Sequence, residues 1–157
     1  MISSQNGESF SGSTGLLNWN LSYQAGQNVV QLQTSGPIDK ISFPAMLSAA
    51  VAVAEQKQCL RILMDHSNST LQLNPLEIYY APKVIVSSGA GANYSLALVF
   101  SEMTEDLQFM ENVCRNSGLR LAVFTDINVG LEWLSASMSP PAAAPYSVAI
   151  DAESSNC

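Results

Sequence analysis

The chain has 157 residues, of which 47% are hydrophobic and 12% charged, and its formal net charge is −7. This length predicts one domain with a sizeable core, and the apolar content argues against a disordered chain. The lysines and arginines number six and are scattered, so no dense basic stripe can bind a nucleic-acid backbone or an anionic membrane. We therefore expect no nucleic-acid partner.

The ends of the chain and its cysteines bear on location and cofactors. The N-terminus lacks the basic and apolar regions of a secretory signal, and no run of about 18 apolar residues could span a membrane. The three cysteines, Cys59, Cys114 and Cys157, are too far apart for a metal or redox motif. These features predict a cytoplasmic protein with no membrane span, no metal and no other cofactor.

The first half of the chain predicts a hairpin, a helix and a buried strand. Residues 1–14 are rich in Ser, Gly and Asn and predict a flexible lead-in. Alternating apolar residues over 15–24 and 29–36 predict an antiparallel hairpin. A period of 3.6 residues over 41–58 predicts an amphipathic helix, and the apolar run 59–66 predicts a buried strand.

A polar loop, residues 65–74, is expected after that strand and ends in a helix start. Asn74 can cap the helix, and Pro75 suits its first position. The helix, residues 75–88, contains Pro82, which either kinks it or ends it near Tyr80. We expect the kinked helix.

The last part of the chain repeats the alternation. It predicts a strand at 95–101, a helix capped by Thr104, a strand at 119–126 and a helix capped by Asp126. The predicted order is β-β-α-β-α-β-α-β-α. Such an order indicates an α/β fold with a mixed, mainly parallel sheet of about five strands and about four helices. The predicted domain covers residues 15–138, and residues 139–157 are expected to be a disordered tail.

The only histidine, His66, lies close to Asp65, Ser67 and Ser69, so the stretch contains the residue types of a hydrolytic triad. Neighbours on a strand point to opposite faces, however, and the sequence has no G-x-S-x-G elbow. One histidine alone is also a poor metal site. The favoured interpretation is a solvated or hydrogen-bonded residue at a strand end, and an enzyme using Asp65, His66 or Asp126 is the minor alternative.

Polar segments follow each predicted parallel strand, and they would meet at one edge of the sheet. Ligands of open α/β sheets bind at this edge. Helix capping is the favoured interpretation of Asn74, Thr104 and Asp126. The candidate ligand or partner residues there are His66, Ser67, Asn74, Thr125 and Asp126.

The helix at 75–88 is apolar nearly all round, which indicates burial on more than one side. It belongs to the core, or its outer face meets a partner or an apolar ligand. Tyr79, Tyr80 and Val84 are the candidate residues of that partner surface or ligand pocket.

The segment "MENVCRNSGLRLAVFTDINVGLEWL", residues 110–134, resembles the closing part of the SpoIIAA-like branch of the STAS superfamily. In that branch a helix ends in an Asn-rich turn with glycine, and a strand then runs into Val-Phe-Thr-Asp before a helix that closes on Trp-Leu. Gly130 stands where an alanine is usual. The matching residues are Asn116, Gly118, Val123, Phe124, Thr125, Asp126, Trp133 and Leu134.

The resemblance implies a mixed sheet of about five strands with about four helices, as the residue pattern predicts by itself. It also implies a bacterial, non-enzymatic regulatory or protein-interaction module with a protein partner or a homodimer. A small apolar-ligand or lipid-binding protein, with a pocket beside helix 75–88, is the alternative.

The resemblance also bears on phosphorylation. Anti-anti-sigma members of the family carry a phosphorylatable serine in Asp-Ser-Ser-Gly at the start of their second helix. Here that place reads Asn74-Pro75-Leu76-Glu77, so the acceptor is missing. Ser67, Ser69 and Thr70 remain as substitutes.

Overall fold

A six-stranded mixed sheet with five helices forms the part of the chain that the computed structural model describes, residues 9–136. The predicted α/β class is confirmed. The strands are β1 (Ser9–Thr14), β2 (Leu17–Gln24), β3 (Val29–Ile38), β4 (Arg61–Leu71), β5 (Ser95–Phe100) and β6 (Arg120–Phe124). The helices are α1 (Ser42–Gln56), α2 (Pro75–Tyr79), α3 (Ala81–Ser87), α4 (Glu105–Asn116) and α5 (Ile127–Ala136).

The strands lie side by side in chain order. The first three pair antiparallel, and β3, β4, β5 and β6 pair parallel, with α1, α2–α3 and α4 between successive parallel strands. The carboxyl ends of these four strands therefore meet at one edge of the sheet, where ligands of open α/β sheets bind. We call it the carboxyl edge.

The structure has one strand more than predicted, because residues 9–14 form β1 and not a flexible lead-in. Each residue of β1 has a partner in β2, from Ser9 opposite Ser22 to Thr14 opposite Leu17. Its small polar residues, SFSGST, carry almost no apolar alternation, so pairing with β2 and not burial holds the strand. Residues 1–8 and the predicted tail at 139–157 lie outside the described residues.

The predicted helix 75–88 is two helices, so the prediction of one kinked helix is wrong. Helix α2 ends at Tyr79, and Tyr80 lies between it and α3. Pro82 lies in the first turn of α3, where its missing N–H costs little. The alternative, an end near Tyr80, is the correct one.

Helices cover the two faces of the sheet unequally. The main core joins one face to α1, α2, α3 and α4, and a smaller core joins the other face to α5 alone. On the α5 side, β5 and the neighbouring part of β4 are covered. The side chains of Asn18, Asn20 and Gln33, on β2 and β3, are exposed. Antiparallel strands often leave one face solvated in this way.

Strand β4 is longer than predicted and contains a bulge. It runs on to Leu71, so most of the predicted loop 65–74 belongs to the sheet. Gln33 pairs with Asp65 and Ser35 with Asn68, so two residues of β4 stand opposite Thr34 alone. A bulge of this kind changes which side chains face the core beyond it.

Gly130, in α5, packs against the sheet at a position where a methyl group nearly fits. A Cβ there would lie 3.3 Å from Leu63 Cδ1, 3.4 Å from Phe124 Cδ2 and 3.5 Å from Val99 Cγ2. These contacts are the movable ends of side chains, and alanine is better than glycine in a helix by about 1 kcal/mol. We expect Gly130→Ala to raise the free energy of unfolding by about 0.5–1 kcal/mol in urea titrations. A loss of stability would contradict the packing described for α5, and Gly91→Ala, in a loop, is the control.

Candidate functional site

Three buried polar side chains form a hydrogen-bonded row on the α1 side of the sheet. Thr34 Oγ1 lies 2.7 Å from His66 Nδ1 and 2.6 Å from Ser69 Oγ. Thr34, His66 and Ser69 are 5%, 1% and 8% exposed. The predicted strand-end position of His66 is wrong, because the residue lies inside β4, whereas its predicted hydrogen bonding is confirmed.

Burial sets the charge of His66. It lowers the pKa of the imidazole from 6.5 to about 3, against the weaker opposing effect of the Asp65 charge. The ring also packs on Phe100, with 5.0 Å between ring centroids. His66 is therefore neutral at pH 7 and works as a hydrogen-bonding residue, not as a cation.

The direction of the hydrogen bonds follows from the second ring nitrogen. Within residues 9–136, Nε2 of His66 has no hydrogen-bonding partner. A buried N–H without an acceptor is rarer in proteins than a buried acceptor without a donor, so the geometry favours the proton on Nδ1. With the proton on Nδ1, His66 would donate to Thr34, Thr34 would donate to Ser69, and the hydroxyl proton of Ser69 would point away from the row.

Ser69 connects this row to a cleft at the carboxyl edge. The cleft has a volume of about 230 Å³ and lies between the ends of β4 and β5 and the first turn of α4. Phe100, which packs on His66, is another of its walls. We call it the carboxyl-edge cleft, and it is lined by Ser69, Thr70, Leu71, Phe100, Ser101, Glu102, Thr104, Asp106 and Leu107.

The structure brings two of the three predicted polar segments together in this cleft, the end of β4 and residues 101–104. The third segment stays apart. Thr125 and Asp126 are exposed at the start of α5, where Asp126 Oδ1 accepts the N–H of Asn128 at 2.8 Å. Neither residue lines the carboxyl-edge cleft.

The other predicted residues of this edge have local roles. Asn74 forms a capping box with Glu77, in which each side chain accepts the other residue's backbone N–H at 2.8 and 2.9 Å. The capping interpretation of Asn74 is thus confirmed, as it is for Thr104, which accepts the N–H of Leu107 at 3.2 Å. Ser67 is exposed and donates its N–H to Asp65 at 3.0 Å.

The exposed side of α2 and α3 is mainly apolar, although Lys83 and Ser87 are exposed on α3 as well. Leu76, Tyr79, Tyr80 and Val86 are 64%, 58%, 46% and 53% exposed. The other side of these helices is buried in the main core through Ile78, Ala81, Pro82 and Ile85. Within residues 9–136 the pair is therefore covered on one side only, and we call Leu76, Tyr79, Tyr80 and Val86 the α2–α3 face.

The predicted pocket residues do not line the clefts described in residues 9–136. Tyr79 and Tyr80 lie on the surface, and Val84 is half-buried between the surface and the core. The rings of Tyr79 and Tyr80 meet edge to face, 5.3 Å between centroids. The ammonium group of Lys83 lies 5.8 Å from the centre of the Tyr80 ring. These contacts favour the observed orientation of the two exposed rings by about 0.5–1 kcal/mol each.

A second cleft, of about 270 Å³, is polar and lies over the half of the sheet that α5 leaves open. Its side chains are mostly exposed amides and hydroxyls, as expected of a solvated sheet face. Asp65 contributes its only carboxylate. The lining residues are Asn18, Trp19, Asn20, Gln33, Thr34, Ser35, Asp65 and Asn68.

Of the residues in the buried row and the cleft, only His66 was among the predicted ligand or partner residues. Thr34 and Phe100 show why the sequence does not indicate the others. Phe100 ends an apolar strand and is indistinguishable from other core residues in the sequence. Thr34 is 32 residues from His66, so the pair depends on strand register. The one available signal was a threonine at an inward position of the β3 alternation, because buried polar groups require partners.

Residues 9–136 hold no group of three His, Cys, Asp or Glu side chains that could bind a metal ion. Burial raises the pKa of the Cys114 thiol to about 12, so this cysteine is protonated at pH 7. In the same residues, no helix is long and apolar enough to cross a membrane. A scan against protein-family models and a search of curated proteins find no match to this chain.

Proposed function

We propose that the protein is a non-enzymatic regulatory module of the SpoIIAA-like STAS type, which binds a protein partner through the α2–α3 face. The observation that carries the proposal is the exposure of Leu76, Tyr79, Tyr80 and Val86, at 46–64% each, on two helices whose other side is core. Exposed apolar clusters of this kind mark interaction sites in soluble proteins.

The composition of the α2–α3 face supports a protein partner. Tyrosine is enriched among the residues that dominate binding energy at interfaces, because it buries a large area with few rotatable bonds. The contacts of Tyr80 with Tyr79 and Lys83 favour one orientation of its ring before binding. A surface ordered in advance loses less side-chain entropy on association.

Apart from Lys83 on α3, the charges named around the α2–α3 face are acidic, and they favour a basic partner. Glu77 lies on α2 itself, and α2 packs against α4, whose first turn carries Glu105 and Asp106. The whole chain has a net charge of −7. An apolar partner surface rimmed by lysine and arginine would match this pattern, and salt would slow its association.

The proposed STAS relationship is supported by the mixed sheet and by the helices that separate its parallel strands. It also bears on regulation. At the family's phospho-acceptor place, the Asn74 side chain caps α2 and Pro75 has no hydroxyl. Binding at the α2–α3 face would therefore not be switched at that position.

A crosslinking experiment tests the partner surface. The full chain carrying a photo-crosslinking amino acid at Tyr79 should capture a protein in its host cell. The same group at Val129, 46% exposed on α5, should not. The captured partner, once purified, is expected to bind Leu76→Ser/Tyr79→Ser at least about 30-fold more weakly than the unchanged chain in fluorescence anisotropy.

The matched control is Val129→Ser, which removes an exposed apolar side chain from the opposite side of the sheet. It should leave the dissociation constant unchanged. Equal capture from positions 79 and 129, or equal affinity of the two serine variants, would overturn the proposal.

A further inference from the structure

We propose that the carboxyl-edge cleft receives a primary ammonium group, the end of a lysine side chain on the partner docked at the α2–α3 face. The inference rests on the proposed function, since it names a chemical feature of the partner. It is carried by the shape of the cleft, its apolar walls and the carboxylates at its rim.

The size of the cleft suits one side chain. Its volume of about 230 Å³ is below the roughly 300–1,000 Å³ of clefts that hold drug-sized ligands. Leu71, Phe100 and Leu107 form apolar walls, and the last two are 5% and 2% exposed. A lysine stem buries its methylene groups on such walls while its charged end stays at the rim.

The polar groups of the cleft suit an ammonium ion. Glu102 and Asp106 are exposed, and neither forms an ion pair within the described part of the chain. An ammonium group has three donors and no acceptor, so two carboxylates and a hydroxyl oxygen can satisfy it. Ser69 is 8% exposed and supplies such an oxygen, because its single hydrogen bond to Thr34 leaves acceptor capacity unused.

An anion fits the same cleft poorly. The start of α4 attracts negative charge in principle, but Thr104 already accepts the N–H of Leu107 at 3.2 Å. Glu105 and Asp106 occupy the first turn and repel a phosphate. The acidic side chains therefore outweigh the helix dipole.

The cleft and the α2–α3 face belong to the same neighbourhood of the fold. Strand β4 ends in the wall of the cleft at Leu71, and α2 begins at Pro75. Helix α2 packs against α4, whose first turn forms the opposite wall. In the proposed complex, a partner that covers the α2–α3 face also reaches the entrance of the cleft.

The chemistry can be tested without the partner. In NMR titrations of the 15N-labelled full chain, n-butylammonium should shift the amides of Ser69, Ser101 and Leu107 saturably. n-Butanol and inorganic phosphate should not. Glu102→Gln/Asp106→Asn is expected to weaken n-butylammonium binding at least about tenfold, and Glu132→Gln, on α5, should leave it unchanged. Equal shifts with n-butanol, or binding of phosphate instead, would overturn the inference.

The partner captured at position 79 gives the second readout. Glu102→Gln/Asp106→Asn should lower its affinity at least about tenfold. If n-butylammonium binds but partner affinity is unchanged, the cleft is a site for a free amine and the partner lysine is excluded. If Leu76→Ser/Tyr79→Ser binds the partner as tightly as the unchanged chain, the proposed function is refuted. The n-butylammonium titration does not depend on that result and still tests the cleft.

Discussion

Gly36→Ala is expected to destabilise the protein by at least about 3 kcal/mol. Gly36 lies in β3 at a φ of +108°, a region that residues with a Cβ rarely adopt. A Cβ at this position would overlap the carbonyl oxygen of Leu16, in the turn between β1 and β2. Since the obstacle is backbone, the strands must move apart, and Gly36 also pairs with Ser69 in β4.

Two other glycines separate the causes of this loss. Gly26 has no positive φ and open space around it, so Gly26→Ala should change stability little. Gly15 has a φ of +64° and open space, so Gly15→Ala should cost only the strain, about 1 kcal/mol. Urea unfolding monitored by tryptophan fluorescence measures all three. If Gly36→Ala lowers the free energy of unfolding no more than Gly15→Ala does, β3 moves away from Leu16 without an energetic penalty.

The predictable parts of the fold were those whose sequence period is set by burial. The stripe of α1 could be predicted because one side of the helix is core. The apolar runs of β4 and β5 could be predicted because both faces of these strands are covered there. Strand β1 could not, since its residues are exposed and pairing with β2 holds it. The end of α2 at Tyr79 could not be predicted from the sequence either, because Pro82 is compatible with both a kinked helix and the start of a new one.

The candidate site was less predictable than the fold, because it depends on the register between β3 and β4. The bulge opposite Thr34 decides that His66 and Ser69 both face the core, and nothing in the sequence of β4 alone specifies it. Capping by Asn74 could be predicted from the sequence because its partner, Glu77, is three residues away. Contacts within one turn can be predicted from sequence, whereas contacts between strands need the sheet.

The buried His66 is expected to make the protein acid-sensitive from pH 6.5 downward. Its pKa is about 3 in the folded chain, against an ordinary value of 6.5. Between these values the unfolded chain binds the proton and the folded chain does not, so stability falls as pH falls. The slope approaches about 1.4 kcal/mol per pH unit, which amounts to about 2 kcal/mol at pH 5.

His66→Asn isolates this contribution from that of the carboxylates. Its amide can keep a hydrogen bond to Thr34 at the place of Nδ1 but cannot bind a proton. His66 is the only histidine, so other groups titrate alike in both proteins.

We expect the variant to be less stable at pH 7, because a cavity replaces the ring beside Phe100. The stability difference should shrink by about 2 kcal/mol between pH 7 and pH 5 in urea titrations. Parallel pH profiles would mean that His66 takes up a proton in the folded protein, and the row with Thr34 and Ser69 would then open in mild acid.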